Sequence, residues 1–124
     1  MAYKVLIVED SSTARAMIAS CVEGIEGVEV FEAPSGFEAL RLLPHHTFSL
    51  IITDINMPDI NGLELVGFIK KNPTYSHIPL IIVTTEGSMK DMEKGLSLGA
   101  DEYVVKPFDP SVLQGLVRRY LSRK

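Results

Sequence analysis

Five short apolar runs rich in Val and Ile recur along the chain, and several of them show no alternation of apolar and polar positions. Continuous apolar runs of this length indicate strands that are covered on both faces, as in parallel sheets. The predicted strands are Tyr3–Val8, Val28–Ala33, Leu50–Thr53, Pro79–Thr84 and Tyr103–Val105.

Helix-like stretches lie between these runs, and each has a recognisable start or stop. Ser, Asn and Asp residues precede them as potential N-caps, Pro44 closes the second helix and Gly99 the fourth. The predicted helices run from about Thr13 to Val22 behind Ser11 and Ser12, from the cap Ser35 to Leu43, from Gly62 to Lys71 behind Asn61, from Ser88 to Leu98, and from Pro110 behind Asp109 to a basic end with Arg118, Arg119, Arg123 and Lys124.

Strands and helices alternate strictly, which predicts an α/β fold with a parallel sheet and helices on both faces. We expect a flavodoxin-like, doubly wound, five-stranded sheet with five flanking helices. The strand order 2-1-3-4-5 is common for such sheets and is adopted here, because spacing alone does not fix it. A chain of 124 residues has the size of one domain, so residues 1–124 are treated as a single unit.

Composition narrows the class of protein. A formal net charge of −4 argues against nucleic-acid binding by bulk positive charge. The single cysteine, Cys21, allows neither an internal disulfide nor a cysteine-based zinc site, and we expect it to be packed in a helix. No apolar run approaches the roughly 20 residues of a membrane span, and the N-terminus lacks the pattern of a signal peptide. These features favour a cytoplasmic protein.

Charged and polar residues follow the predicted strands where the strands end. Glu9 and Asp10 follow the first strand, Asp54 follows the third, Thr84 ends the fourth and Lys106 follows the fifth. Ligands bind such sheets at the carboxyl ends of strands, at the point where the winding direction reverses, here between strands 1 and 3. Each residue alone fits an ordinary loop or cap position, but together they predict a site at one edge.

The predicted cluster has three carboxylates and one ammonium group, so negative charge is in excess. Close carboxylates resist joint ionisation unless a cation compensates them. Oxygen ligands suit a hard divalent cation, and Mg²⁺ is bound by a few carboxylates together with waters. An Asp54 carboxylate beside Mg²⁺ and Lys106 is a credible nucleophile toward a phosphoryl group, whose oxygens Lys106 and Thr84 can stabilise.

Four motifs resemble those of one family over nearly the whole chain. They are VLIVEDSSTAR around Glu9, ITDINMPDINGLEL around Asp54, IIVTTEG around Thr84 and GADEYVVKPF around Lys106. Together they resemble the receiver domain of bacterial response regulators, particularly the stand-alone chemotaxis type. The resemblance implies a signalling switch in a phosphorelay that catalyses its own phosphorylation and dephosphorylation, rather than an enzyme of turnover. A sensor histidine kinase or phosphotransfer domain would donate the phosphoryl group.

The resemblance also implies a role for each site residue. Asp54 would accept the phosphoryl group, Mg²⁺ would be bound by Asp10, Asp54 and the backbone carbonyl of Asn56, and Glu9 would act through water. Thr84 and Lys106 would contact the phosphoryl group, and Tyr103 would be the aromatic switch beside Thr84. Asn56 and Glu86 would flank the path of the attacking water and tune the phosphoryl lifetime. Thr85 departs from the small residue common at its position and would crowd Asp54. The Lys106–Pro107 bond would be cis.

A downstream protein would read phosphorylation on the face formed by helix 4, strand 5 and helix 5, which includes Lys90, Glu93, Lys94 and Tyr103. We expect no direct nucleic-acid contact, no membrane span, and a monomer or weak dimer. The sequence names neither the kinase nor the partner. It is compatible with a stand-alone regulator and with a receiver cut from a longer protein.

Two other functions fit parts of the sequence. An Asp-nucleophile phosphatase of the haloacid dehalogenase kind would show Asp-x-Asp after the first strand, where this chain has EDSST. A docking domain that ignores phosphate could share the fold, although the presence of Asp54, Thr84 and Lys106 argues against it. The adjacent pair His45 and His46 is interpreted as part of a solvated loop, since adjacent side chains diverge and no third ligand is evident.

Overall fold

A five-stranded parallel sheet runs through the protein in the computed structural model, which describes residues 2–122. The sheet has the order β2-β1-β3-β4-β5, so the predicted fold class and strand order are confirmed. The strands are β1 (Tyr3–Val8), β2 (Val28–Ala33), β3 (Leu50–Thr53), β4 (Leu80–Thr84) and β5 (Glu102–Val105).

Within residues 2–122, four α-helices connect the strands and a fifth follows β5, and their ends differ only slightly from the predicted ones. They are α1 (Ser12–Glu23), α2 (Gly36–Leu42), α3 (Gly62–Lys71), α4 (Met89–Ser97) and α5 (Pro110–Leu121). Each helix directly follows an N-cap residue whose side chain accepts a hydrogen bond from an amide of the first turn. These N-caps are Ser11, Ser35, Asn61, Ser88 and Asp109. The predicted caps Ser11, Ser35, Asn61 and Asp109 are therefore confirmed, whereas Ser12 is already the first residue of α1 and Ser88 caps α4 rather than beginning it. Arg123 and Lys124, assigned to the basic end of the last helix, lie outside the described residues.

Two apolar layers cover the sheet because the side chains of each strand alternate between its faces. Along β1, Leu6 and Val8 belong to the layer that also contains Leu65 and Ile69 of α3. Val5 and Ile7 belong to the opposite layer, with residues from α1 and α5. Cys21 is buried in that second layer, as predicted. The two-sided burial explains why β3 and β4 are continuous apolar runs.

The end of α2 differs from the prediction. The α-helix stops at Leu42, and a turn of 3₁₀-helix (Leu43–His45) contains Pro44. His45 is exposed, but His46 is half-buried, with its ring centroid 4.3 Å from that of Phe31. The interpretation of both histidines as solvated was therefore wrong for His46, because Phe31 and Phe48 offer it an aromatic surface. Among residues 2–122, no helix is long and apolar enough to cross a membrane.

Candidate functional site at the carboxyl ends of the strands

Backbone hydrogen bonds between neighbouring strands fix the residues that follow the strand ends. The Asp54 amide donates to the Val8 carbonyl (3.0 Å), and the Glu9 amide donates to the Ala33 carbonyl (3.0 Å). The Lys106 amide donates to the carbonyl of Thr84 (2.7 Å), and the Lys106–Pro107 peptide bond is cis, as predicted. The sheet therefore brings residues from four strands to one edge.

The Lys106 ammonium joins two of the carboxylates. Its Nζ lies 2.5 Å from Glu9 Oε1 and 3.4 Å from Asp54 Oδ2. The side chains of Glu9 and Asp54 are only 1% and 8% exposed, so this ion pair is shielded from solvent. An ion pair in a shielded site is screened much less than one on the surface. Lys106 therefore contributes the main positive charge at these two carboxylates.

The second oxygen of Asp54 is held by its own loop. Asp54 Oδ1 accepts a hydrogen bond from the Ile55 amide at 2.6 Å and a longer one from the Asn56 amide at 3.5 Å. Oδ2 is directed toward Lys106. The two oxygens thus have different environments, and Oδ2 is the one not held by backbone amides.

Glu9, Asp10 and Asp54 form an acidic cluster that can hold a metal ion. Each offers one oxygen, and these oxygens all lie within 4.8 Å of one another. Asp10 is exposed, whereas Glu9 and Asp54 are buried, so the cluster opens toward solvent on one side. An all-oxygen donor set of this size fits a hard divalent cation. The residues present therefore fit the metal that the sequence predicted.

For both Glu9 and Lys106, burial and the hydrogen bond between them shift the pKa in opposite directions. Burial raises the pKa of Glu9, and the hydrogen bond from Lys106 offsets only part of that rise. Burial alone would lower the pKa of Lys106, but the hydrogen bond from Glu9 and the charge of Asp54 raise it above its usual value. Lys106 therefore keeps its proton and serves as the cation of the site.

A chain of hydrogen bonds leads from the end of β4 to Tyr103. The Glu86 amide donates to the hydroxyl oxygen of Thr84 (3.3 Å), and the Tyr103 hydroxyl donates to the Glu86 carbonyl (2.5 Å). Thr84 is fully buried and Tyr103 is half-buried, while Thr85 is exposed. Glu86 therefore connects two residues that the sequence analysis had linked only by resemblance.

Glu86 also makes a contact across the mouth of the site. The Asn56 side-chain amide donates to Glu86 Oε1 at 2.8 Å. The two residues predicted to tune the phosphoryl lifetime are thus hydrogen-bonded to each other. Their distance along the chain is 30 positions, so no local sequence signal predicts this pair.

Arg15 supports the site and was not assigned a role from sequence. Its Nη1 donates to the Glu9 carbonyl at 2.8 Å, and its Nε pairs with Glu32 Oε1 at 3.0 Å. With its amide bound to Ala33 and its carbonyl bound to Arg15, the Glu9 backbone is held on both sides. The one relevant signal in the sequence is that Arg15 is the fourth residue of α1, the helix that begins soon after Glu9 and Asp10.

The profile of the response regulator receiver domain matches residues 5–118. The chain belongs to this family. It is a receiver domain of the two-component response regulators, and receiver domains are signalling switches. The resemblance seen in the sequence is confirmed, and the haloacid dehalogenase alternative is wrong.

Individual relatives agree with this assignment. The chain is 42% identical over 112 residues to a chemotaxis protein CheY homolog of Campylobacter jejuni, covering 90% of this chain and 86% of that one. It is 40% identical to a probable transcriptional regulator, ycf29, of Pyropia yezoensis, covering 99% of this chain but 55% of that protein's length. Similar domains thus occur both nearly alone and as part of longer proteins.

Solved structures share the fold. The chemotaxis response regulator CheY4 of Vibrio cholerae superposes with a TM-score of 0.87 at 35% identity, covering 97% of this chain and 99% of that one. The BeF3-activated receiver domain of DrrB superposes with a TM-score of 0.90 at 28% identity, covering 99% of this chain and 100% of that one.

Proposed function

We propose that this protein is a phosphorylation-controlled switch that accepts a phosphoryl group on Asp54 in the presence of Mg²⁺. The donor would be a phosphohistidine on a sensor histidine kinase or a phosphotransfer domain. One observation supports the proposal most: Lys106 pairs with both Glu9 and Asp54 at the edge where Asp10 completes an acidic cluster. That arrangement places a nucleophilic carboxylate beside a fixed cation.

The chemical step uses the Asp54 oxygen that is not held by backbone amides. Oδ2 attacks phosphorus, the bond between phosphorus and the histidine nitrogen breaks, and the departing imidazole takes a proton from solvent. Lys106 stabilises the negative charge of the phosphoryl oxygens, and Thr84 can donate a hydrogen bond to one of them. Water later attacks the same phosphorus, which returns Asp54 as a free carboxylate and releases inorganic phosphate.

Glu9, Asp10, Asp54 and the Asn56 carbonyl would hold the divalent cation. When bound, Mg²⁺ supplies positive charge to the phosphoryl oxygens and offsets the mutual repulsion of the carboxylates. The hydrogen bond between Asn56 and Glu86 spans the approach to Asp54, and it would have to open or shift for water to reach phosphorus. We propose that this pair sets part of the phosphoryl lifetime, with exposed Thr85 a weaker influence.

Acetyl phosphate or a phosphorylated kinase is expected to label the wild-type protein on Asp54 alone, and only when Mg²⁺ is present. The label should be lost in base, because an acyl phosphate hydrolyses there. Intact-mass spectrometry and peptide mapping measure both the stoichiometry and the position.

Asp54→Ala should accept no label, and Glu64→Ala is the matched control, because it removes a nearby exposed carboxylate from the first turn of α3. Label retained at normal stoichiometry in Asp54→Ala would refute the proposed acceptor. Equal labelling of the wild type in the presence of a chelator would refute the requirement for metal.

The conformational change would be transmitted from Thr84 through Glu86 to Tyr103. A phosphoryl group on Asp54 offers new charged acceptors, which make stronger hydrogen bonds than neutral ones. If the Thr84 hydroxyl turns toward them, its contact with the Glu86 amide changes, and the carbonyl of Glu86 is the partner of the Tyr103 hydroxyl. The surface of α4, β5 and α5 around Lys90, Glu93 and Lys94 would then change shape, and a partner would read it there.

Thr84→Ala is expected to accept beryllofluoride or phosphate on Asp54 but to lose most of the accompanying change around Tyr103. The reason is that alanine removes the hydroxyl that accepts from Glu86 while leaving Asp54 and Lys106 intact. NMR chemical shifts of β5 and α4 amides, recorded with and without beryllofluoride, measure the effect.

The control is Thr85→Ala, which removes the adjacent, exposed hydroxyl. It should respond like the wild type. Chemical-shift changes near Tyr103 that are equally large in wild type and Thr84→Ala would show that the signal bypasses Thr84.

We propose that this switch acts in the cytoplasm, as a monomer or weak dimer without direct nucleic-acid contact.

A further inference from the structure

The segment 54–61 between β3 and α3 is irregular, yet it carries Asp54 and the Asn56 carbonyl. Its two ends are fixed close together, because the Gly62 amide donates to the Ile55 carbonyl at 2.8 Å. Asn61 then caps α3. These contacts hold the base of the loop, and Asn56 is linked to Asp54 Oδ1 through its amide and to Glu86 through its side chain, but the part of the loop that follows Asn56 depends on another support.

Asp59 supplies that support from outside α3. Its Oδ1 accepts from the Gly36 amide at 3.2 Å, and its Oδ2 accepts from the Phe37 amide at 2.9 Å. Ser35 already accepts from the Glu38 amide at 3.2 Å. The first three amides of α2 are therefore all satisfied, one by the helix's own cap and two by a loop more than twenty residues away.

Packing and charge reinforce this contact. A Cβ atom at Gly36 would lie 2.8 Å from Ile60 Cβ, so the start of α2 rests directly on the loop. The hydrogen bond from the Phe37 amide, with that from Gly36, lowers the pKa of Asp59 to about 2 despite its exposure. Asp59 is therefore ionised at neutral pH and remains an acceptor for both amides.

We propose that Asp59 is a positioning residue for the divalent-cation site: by attaching the β3–α3 loop to the start of α2, it places the Asn56 carbonyl. The inference rests on the proposed function, since it concerns the same cation. It adds a residue that touches neither the cation nor the phosphoryl group. Asp59 acts only through the loop backbone between itself and Asn56.

The test is the dissociation constant of Mg²⁺, measured by calorimetry on folded protein at fixed pH and 0.5 M salt. Asp59→Ala is expected to weaken Mg²⁺ binding about 5- to 10-fold, which is at or below the roughly 10-fold minimum for direct outer-shell partners, because Asp59 acts on the ligand only through the loop backbone. Asp59→Asn keeps one acceptor oxygen and should show a smaller loss. In the metal-free protein, hydrogen exchange of the Asn56 amide should accelerate in Asp59→Ala.

Two matched variants separate positioning from other effects. Ser35→Ala removes the other cap of the same helix and should lower the melting temperature without changing the Mg²⁺ dissociation constant. Glu64→Gln removes an exposed carboxylate from the first turn of α3 and measures the effect of losing one nearby charge.

The outcomes are distinct. Weaker binding in Asp59→Ala than in both controls, together with faster exchange at Asn56, supports the positioning role. Binding in Asp59→Ala that equals either the wild type or Glu64→Gln overturns it, since the loop would then keep its geometry unaided. If the wild type itself binds no Mg²⁺, the proposed function fails rather than this inference.

Discussion

Replacing Gly62 with alanine is expected to lower the free energy of unfolding by about 3 kcal/mol, the upper end of the usual cost of overpacking, because backbone atoms occupy the space of the new side chain. A Cβ atom there would lie 1.9 Å from the carbonyl oxygen of Asp54 and 2.6 Å from the Cα atom of Ile55. Neither atom belongs to a flexible side chain, so β3 and α3 must separate. Urea denaturation of Gly62→Ala against the wild type measures the loss.

The chain offers a matched control in a second helix. A Cβ atom at Gly115 in α5 would meet nothing within 4 Å. Gly115→Ala should therefore leave stability unchanged or raise it by up to about 1 kcal/mol, since alanine favours helix. Equal stability in Gly62→Ala and Gly115→Ala would contradict the close approach of Gly62 to the Asp54 peptide.

The same close approach has a functional consequence. Any shift that accommodates a side chain at Gly62 moves the peptide that follows Asp54, and the Ile55 amide holds one oxygen of that carboxylate. Folded Gly62→Ala protein should therefore also bind Mg²⁺ more weakly than the wild type. The packing of α3 and the geometry of the acidic cluster are thus determined by the same few atoms.

The apolar runs made most of the fold predictable. Strands such as Leu50–Thr53 and Leu80–Thr84 are buried on both faces, so they lack alternation, and parallel strands placed between helices leave few topologies. The strand order itself came from what such sheets commonly adopt rather than from spacing. Asp54 and Lys106 could be found because strand ends in a parallel sheet meet at one edge.

The remainder of the site depended on contacts between distant positions. Asp59 looks like an ordinary turn residue in a loop rich in Pro, Asn and Asp, and its partners lie 22 and 23 positions away. His46 was misjudged for the same reason, since nothing local indicates that Phe31 of a neighbouring strand will cover its ring. Sequence patterns predict elements and their ends, but side-chain partners across elements follow only from packing.

Replacing Lys106 with methionine is expected to slow phosphorylation of Asp54 by acetyl phosphate about 10²- to 10³-fold, the usual effect of removing one preorganised electrostatic contact. The methionine side chain is similar in length to that of lysine, so the loss of the ammonium group is the principal change. That group lies 3.4 Å from Asp54 Oδ2, the oxygen proposed to attack phosphorus. Single-turnover labelling at saturating Mg²⁺ measures the rate.

Binding of Mg²⁺ should change in the opposite sense. Without the ammonium group, Glu9 Oε1 and Asp54 Oδ2 lose their shared positive partner and the cluster has greater excess negative charge. A divalent cation then has less positive charge to oppose it, so Lys106→Met should bind Mg²⁺ at least as tightly as the wild type at neutral pH. Lys94→Met, which removes an exposed lysine of α4, serves as the control for net charge.

The combination of a slower rate with undiminished metal affinity is specific to a cation that acts on the phosphoryl group. If Lys106 merely held Glu9 and Asp54 in place, its loss would weaken Mg²⁺ binding and phosphorylation together, because both depend on the same carboxylates. If Lys106→Met were labelled at the wild-type rate, the charge beside Asp54 would have no part in the transfer.

The variant Lys106→Arg is a further test, since it keeps the charge but brings a broad planar group to a shielded site where the lysine nitrogen lies only 2.5 Å from Glu9. We expect Lys106→Arg to recover little of the rate, because stabilising the phosphoryl oxygens requires a compact cation at that position.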